Sequence, residues 1–198
     1  MSAITNPPGP AAMKPERSIV IVGMPGSGKS SVGRKLAARF GIPFSDADDE
    51  IEAAAGMRID QIFERFGEVE FRKGEQRVIA RLLEQPIHVL ATGGGAFMDS
   101  ATRALIRVKA VSVWLRADLA TLLERTSRRD DRPLLKQGAP GEVLTRLLAE
   151  RAPVYAEADI TVDSDNRPAE ETVDRVIQAL RVRPFSAGTG DVRILGAS

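Results

Sequence analysis

Apolar positions along the chain follow two rhythms. Ile19-Val20-Ile21-Val22 is an unbroken β-branched run, the pattern of a strand covered on both faces. Immediately downstream, Val32, Leu36 and Phe40 recur every four residues and Gly41 follows, which predicts a helix ended by a residue tolerant of left-handed backbone. Shorter runs at 43–46, 88–91, 111–115 and 160–162 repeat the strand signal, separated by helical or mixed stretches. Alternating strands and helices predict an α/β domain with a parallel sheet, because parallel neighbours need a crossover and the crossover helices cover the faces. Ligands of such sheets sit beyond the carboxyl ends of the strands, so the residues just after each apolar run are the candidates for chemistry.

The flanks break this rhythm. Residues 1–17 carry four of the twelve prolines and no apolar period, and read as a leader without the apolar core of an export signal. From residue 183 helical spacing gives way to Gly and Pro, so 183–198 reads as a tail and 18–182 as one domain. No stretch approaches the ~20 apolar residues of a membrane helix. With 28 Lys+Arg against 27 Asp+Glu the net charge is +1, which gives no basic footprint for nucleic acid. The chain has no cysteine and one histidine, His88. Disulfides, thiol nucleophiles and Cys- or multi-His metal sites are thereby excluded, and a reducing, cytoplasmic setting is expected. His88 opens a strand, far from the ligand end, and reads as structural.

The first such position holds Gly23-Met24-Pro25-Gly26-Ser27-Gly28-Lys29-Ser30 between strand and helix, the G-x-x-x-x-G-K-[ST] pattern in its proper context. Glycines let the backbone of Gly26, Ser27, Gly28, Lys29, Ser30 and Ser31 converge on phosphate oxygens at the positive end of a helix. Lys29 adds a point charge for the β- and γ-phosphates and Ser30 a hydroxyl for Mg²⁺. A nucleoside triphosphate site follows, with its use still open.

Further positions suggest the acceptor. Asp46 and Asp48 lie two apart after the second strand, so in an extended segment both face the same way, one toward metal water and one toward an acceptor hydroxyl. Asp49 and Glu50 read as helix caps. Gly67-Glu68-Val69-Glu70-Phe71-Arg72 is expected to precede a long helix bearing Val78, Ile79, Leu82 and Leu83. Gly93-Gly94-Gly95 exposes bare backbone beyond the third strand, which suits the close approach of a ligand. A charged, Gly/Pro-bordered stretch at about 126–141 reads as a lid, with Arg132 directed at phosphate and Arg128 and Arg129 solvated. Arg151-Ala152-Pro153-Val154-Tyr155 brings another arginine near a helix end.

Phosphate loop, Asp-x-Asp, Gly-Glu-x-x-Phe-Arg, Gly-Gly-Gly, Arg-Pro-Leu-Leu (132–135) and Arg-x-Pro-x-Tyr, in this order over roughly 18–180, resemble the shikimate kinase family. The resemblance implies a three-layer α/β/α P-loop kinase with a five-stranded parallel sheet, a substrate-binding helical region and a lid. It implies transfer of the γ-phosphoryl of ATP to the 3-hydroxyl of shikimate, giving 3-phosphoshikimate and ADP on the way to chorismate and the aromatic amino acids. Asp48 would hold the shikimate hydroxyls as candidate base, Arg72 and Arg151 would grip the carboxylate, and Gly93, Gly94 and Gly95 would lie along the ring. Lys29 and Arg132 would face the transferring phosphoryl, Ser30 would hold Mg²⁺ and Asp46 would act on it through water. Adenine would lie between Arg125 and Arg167, although 163–168 does not follow the family pattern closely. The expected protein is a monomer acting on ATP and shikimate, with no nucleic-acid or membrane partner. Two alternatives remain, a gluconate-type sugar-acid kinase and a nucleotide-gated module without catalysis. The set Arg72, Gly-Gly-Gly and Arg151 argues against the first, and the presence of every expected site element against the second.

Overall fold

The computed structural model describes residues 14–127 and 139–182. Five parallel strands, β1 (Ser18–Val22), β2 (Phe44–Asp46), β3 (Val89–Ala91), β4 (Ala110–Arg116) and β5 (Ile160–Asp163), form one sheet in the order β2-β3-β1-β4-β5. The helices are α1 (Lys29–Phe40), α2 (Ala47–Ala55), α3 (Ile59–Leu83), α4 (Ser100–Lys109), α5 (Leu119–Thr126), α6 (Pro140–Tyr155) and α7 (Ala169–Val182), with a short 3₁₀ turn at Ala96–Met98. Among the described residues no helix is long and apolar enough to cross a membrane.

The β-branched run explains the centre of the sheet. Every residue of β1 is buried, because alternate side chains feed two separate cores. Val20 and Val22 join Leu90, Trp114, Ile79, Leu122 and Tyr155 on one face, while Ile19 and Ile21 join Leu36, Val113, Val176 and Leu180 on the other. Each such side chain taken from water contributes roughly 1.5–3 kcal/mol, which is why an unalternating sequence suits the middle of a doubly covered sheet. Gly41 closes α1 as its spacing predicts, with backbone bonds returning to Ala37 and Ala38.

Register then positions the site. Ile21 pairs with Ala91, and Asp46 also pairs with Ala91. The segments leaving β1, β2 and β3 therefore emerge side by side: the phosphate loop, the start of α2, and Thr92-Gly93-Gly94-Gly95.

Four local expectations need correction. Asp48 is not in an extended segment: β2 ends at Asp46 and Asp48 already lies in the first turn of α2. The cap of α2 is Asp46, whose side chain accepts from the Asp48 amide, and Asp49 and Glu50 follow inside that turn. Residues 68–72 do not precede the long helix but belong to α3, which runs through a kink where Gly67 takes φ 77°, ψ 171°. A helix-breaking glycine in the sequence turned out to bend the helix instead of delimiting it. Arg17, at the end of the expected leader, donates to the carbonyls of Arg107 (2.7 Å) and Val108 (2.5 Å) and so closes the carboxyl end of α4. His88 is structural, 1% exposed, with Nδ1 beside the Pro86 carbonyl and the Ser18 hydroxyl. Most of the expected leader, most of the lid including Arg132, Arg128 and Arg129, and the tail 183–198 lie outside the described residues.

Candidate active site

The loop after β1 ends on Gly28, whose φ of 90° serves as the entry to α1; a side chain there would be strained. The first helical backbone bond of α1 runs from Val32 to Gly28, so the amides of Lys29, Ser30 and Ser31 have no helical acceptor and form a positive end ready for an anion. Lys29 is buried, and its Nζ donates to the carbonyls of Gly23 and Met24 at 3.0 Å each. Two outside groups hold the next carbonyls: Arg125 Nη1 donates to Gly26 at 3.4 Å and Ser164 Oγ to Ser27 at 2.8 Å.

Ser30 Oγ donates to Asp46 Oδ2 at 2.5 Å, while Asp46 Oδ1 accepts from the Asp48 amide at 3.1 Å. Asp46 thus caps α2 with one oxygen and faces the phosphate loop with the other. Two hard oxygen donors suit Mg²⁺, which binds through few protein groups and completes its shell with phosphate and water. Among the described residues no cluster of three or more His, Cys, Asp or Glu is placed to hold a metal ion.

Beyond this pair a cleft of about 680 Å³ is lined by Ser30, Ser31, Asp46, Asp48, Arg72, Glu75, Gly93, Gly94, Gly95 and Arg151, with Phe63 and Phe71 as an apolar wall. Those two rings pack at 4.5 Å between centroids, across the kink of α3. The three glycines are required by side chains that crowd them. A Cβ on Gly93 would lie 2.6 Å from Glu75 Oε1 and 2.9 Å from Asp48 Oδ1; on Gly94, 2.8 Å from Pro25 Cδ; on Gly95, 2.5 Å from both Arg72 Nη atoms. Asp48, Arg72, Glu75 and Pro25 of the loop therefore all press against one stretch of bare backbone.

Charge in the cleft is organised by a residue the sequence reading missed. Glu75 is 2% exposed and its Oε2 accepts from Arg72 Nη1 at 2.7 Å, while the half-exposed Glu68 accepts from Arg72 Nη2 at 3.1 Å. Glu75 Oε1 has no hydrogen-bond partner among the described residues. Burial pushes the Glu75 carboxyl above its ordinary range, against the opposing pull of Arg72. Burial pulls the Arg72 guanidinium down, but Glu75 and Glu68 outweigh it and hold Arg72 above its usual value. The missed signal was spacing: residues three apart share a helix face, so an Arg72 assigned to the site carries Glu75 with it. Arg151 is also buried, and its Nη1 donates to the Gly94 carbonyl at 2.9 Å, beside a second donation from the Tyr155 hydroxyl. Burial pushes the Tyr155 phenol up to about 12, so it stays a donor.

Of the remaining candidates, Arg125 braces the loop, and neither it nor Arg167 lines the cleft. Arg125 Nη2 donates to the Asp165 carbonyl and its Nη1 to Ser164 Oγ at 3.1 Å. Arg167 binds the Asp165 carboxylate, with Nη2 at 2.7 Å. Gly26, Ser27 and Gly28 lie in the loop itself, and Lys29 opens α1.

This arrangement has relatives. The shikimate kinase family model matches residues 25–181. A shikimate kinase of Paramagnetospirillum magneticum is 58% identical over 164 residues, covering 83% of this chain and 84% of the relative. One from Bradyrhizobium diazoefficiens is 58% identical over 165 residues, covering 83% and 80%. Among solved structures, a shikimate kinase from Acinetobacter baumannii in complex with shikimate superposes with a TM-score of 0.83 at 36% identity, covering 85% of this chain and 95% of that one. With the family model spanning most of the chain and relatives well above half identical, the chain belongs to the shikimate kinase family.

Proposed function

We propose that the cleft holds shikimate with its carboxylate between Arg72 and Arg151, and that the γ-phosphoryl of ATP passes to its 3-hydroxyl to give 3-phosphoshikimate and ADP. The observation that carries this reading is the convergence of two guanidinium groups and the Asp48 carboxylate on the backbone of Gly93–Gly95, beside the amino end of α1. A monocarboxylate polyol needs that set: planar donors for its carboxylate and an acceptor for its hydroxyls.

In this reading Arg72 keeps Glu75 as its buried partner, and the substrate carboxylate takes the side now occupied by the half-exposed Glu68. Asp48 orients the 3-hydroxyl and accepts its proton as the oxygen attacks phosphorus. Lys29 leaves the carbonyls of Gly23 and Met24 for the β- and γ-phosphates, and Arg132 adds charge from the lid. Mg²⁺ would be held by Ser30 directly and by Asp46 through water, supplying neutralisation of phosphate charge when bound. Adenine lies between Arg125 and Arg167, and ATP as donor implies a cytoplasmic setting. Phosphoryl transfer depends mainly on position and charge, which suits a cleft built without histidine.

The test is ADP release across an acceptor panel containing shikimate and gluconate, for the unaltered protein and Asp48→Asn. Release dependent on shikimate, with a rate in Asp48→Asn that falls further than shikimate affinity, is expected. Preference for gluconate, or ADP release indifferent to acceptor, would overturn the assignment.

A further inference from the structure

An anion cradle of backbone amides has a physical cost when empty. For N–H groups to converge inward, the carbonyls of the same peptides must face outward, and an outward carbonyl inside a protein needs a donor. Four loop carbonyls have one. Those of Gly23 and Met24 take Lys29 Nζ, a group that belongs to the loop and is required by phosphate. Those of Gly26 and Ser27 take Arg125 and Ser164, which belong to other elements.

Ser164 is the junction of the second pair. It is 4% exposed, so it is hidden from a ligand in the cleft. Its hydroxyl donates to Ser27 at 2.8 Å and accepts from Arg125 Nη1 at 3.1 Å, using its donor and an acceptor site at once. Its own position is fixed from two sides. The Ser164 amide donates to Arg116 at 2.7 Å, extending the pairing of β5 with β4. The next residue, Asp165, accepts from Arg167 and from Arg175 on α7, and these arginines hold its carboxyl well below the usual carboxylate range.

We propose that Ser164 is a positioning residue of the nucleotide site, whose hydroxyl braces the Ser27 carbonyl and seats Arg125 so that the phosphate loop keeps its anion-receiving shape before nucleotide arrives. The effect is preorganisation: a loop held open binds phosphate without first being ordered. When Lys29 turns to phosphate, Ser164 and Arg125 remain as the fixed supports. The inference rests on reading this loop as the ATP site.

The experiment is titration of ATP, inorganic tripolyphosphate and shikimate into the unaltered protein, Ser164→Ala, Ser164→Cys and Ser164→Thr. Ser164→Ala is expected to weaken ATP and tripolyphosphate alike by about tenfold, equivalent to ~1.4 kcal/mol, and to leave shikimate within about twofold. Ser164→Cys, which keeps the volume and weakens the hydrogen bond, gives the same direction if the alanine variant does not fold. Ser164→Thr, which keeps the hydroxyl, recovers most of the affinity. Unchanged tripolyphosphate affinity, a proportional loss of shikimate affinity, or a threonine variant no better than alanine would each overturn the role. Failure of the underlying reading shows separately, as an unaltered protein that does not bind ATP.

Discussion

The phosphate loop and the acceptor cleft meet where Pro25 crowds Gly94, yet they are built by opposite means. The loop is one contiguous segment running from β1 into the first turn of α1, and the donors proposed for phosphate are its backbone amides together with Lys29. The cleft collects Asp48 from α2, Arg72 and Glu75 from α3, the glycines after β3 and Arg151 from α6. Its charged side chains come from separate elements and differ in exposure: Glu75 and Arg151 are buried, Arg72 is partly so and Asp48 is exposed. On the proposed function, phosphate binding is written locally and choice of acceptor in tertiary packing.

If the two regions are separable, substitutions should strike one and spare the other. The largest expected effect is in the loop: Lys29→Met should lower turnover by ~10²–10³-fold, the loss typical of removing one preorganised donor from a transition state, with shikimate binding retained. Steady-state turnover with shikimate titration checks both halves. Next is Gly95→Ala, whose methyl would lie 2.5 Å from both Arg72 Nη atoms. Displacing that guanidinium should raise the shikimate KM by roughly tenfold or more while the ATP KM holds, since a buried charge pair is broken. Gly67→Ala should cost about 1–3 kcal/mol of stability by denaturant unfolding, because φ 77°, ψ 171° belongs almost to glycine alone. Among the described residues nothing beyond the adjoining chain lies within 4 Å of the added Cβ, so the cost is backbone strain. Shikimate affinity should fall with it if the kink aims Arg72.

The smallest effect is a pH dependence. The Glu75 carboxyl is raised by burial, so the folded protein holds that proton more tightly than the unfolded chain. Its stabilising contribution is complete below the ordinary value of 4.5 and is lost as pH rises through the folded value. The slope cannot exceed ~1.4 kcal/mol per pH unit, the one-proton limit. Glu75→Gln should flatten it in denaturant melts taken on either side of pH 4.5; an unchanged slope would separate Glu75 from the effect.

What the sequence made legible follows the same division. The run 19–22, the loop and Gly41 depend on local pattern, and each appears where that pattern puts it. The parallel sheet followed from alternation alone. Asp48, Arg72 and Arg151 were readable as a set only through family resemblance, because 103 positions separate the first from the last (151 − 48). Glu75 escaped because a glutamate among many on a charged helix looks solvated until packing buries it. The role of Asp46 as cap of α2, and the bend at Gly67, were hidden for a related reason: both turn on where one element ends, the least local part of a helix signal.

The claim that the cleft is an arginine-built carboxylate site is tested most directly by calorimetric titration of shikimate and of ATP into Arg72→Ala and Arg151→Ala, with Arg→Lys at each position. Removing one partner of a buried charge pair costs on the order of 2–5 kcal/mol, hence roughly thirtyfold or more in shikimate affinity. Lysine should restore only part of that, lacking the planar fork, and ATP affinity should stay within about twofold in all four variants. Shikimate affinity unchanged in both alanine variants would contradict the account and leave a phosphate loop with no assigned acceptor.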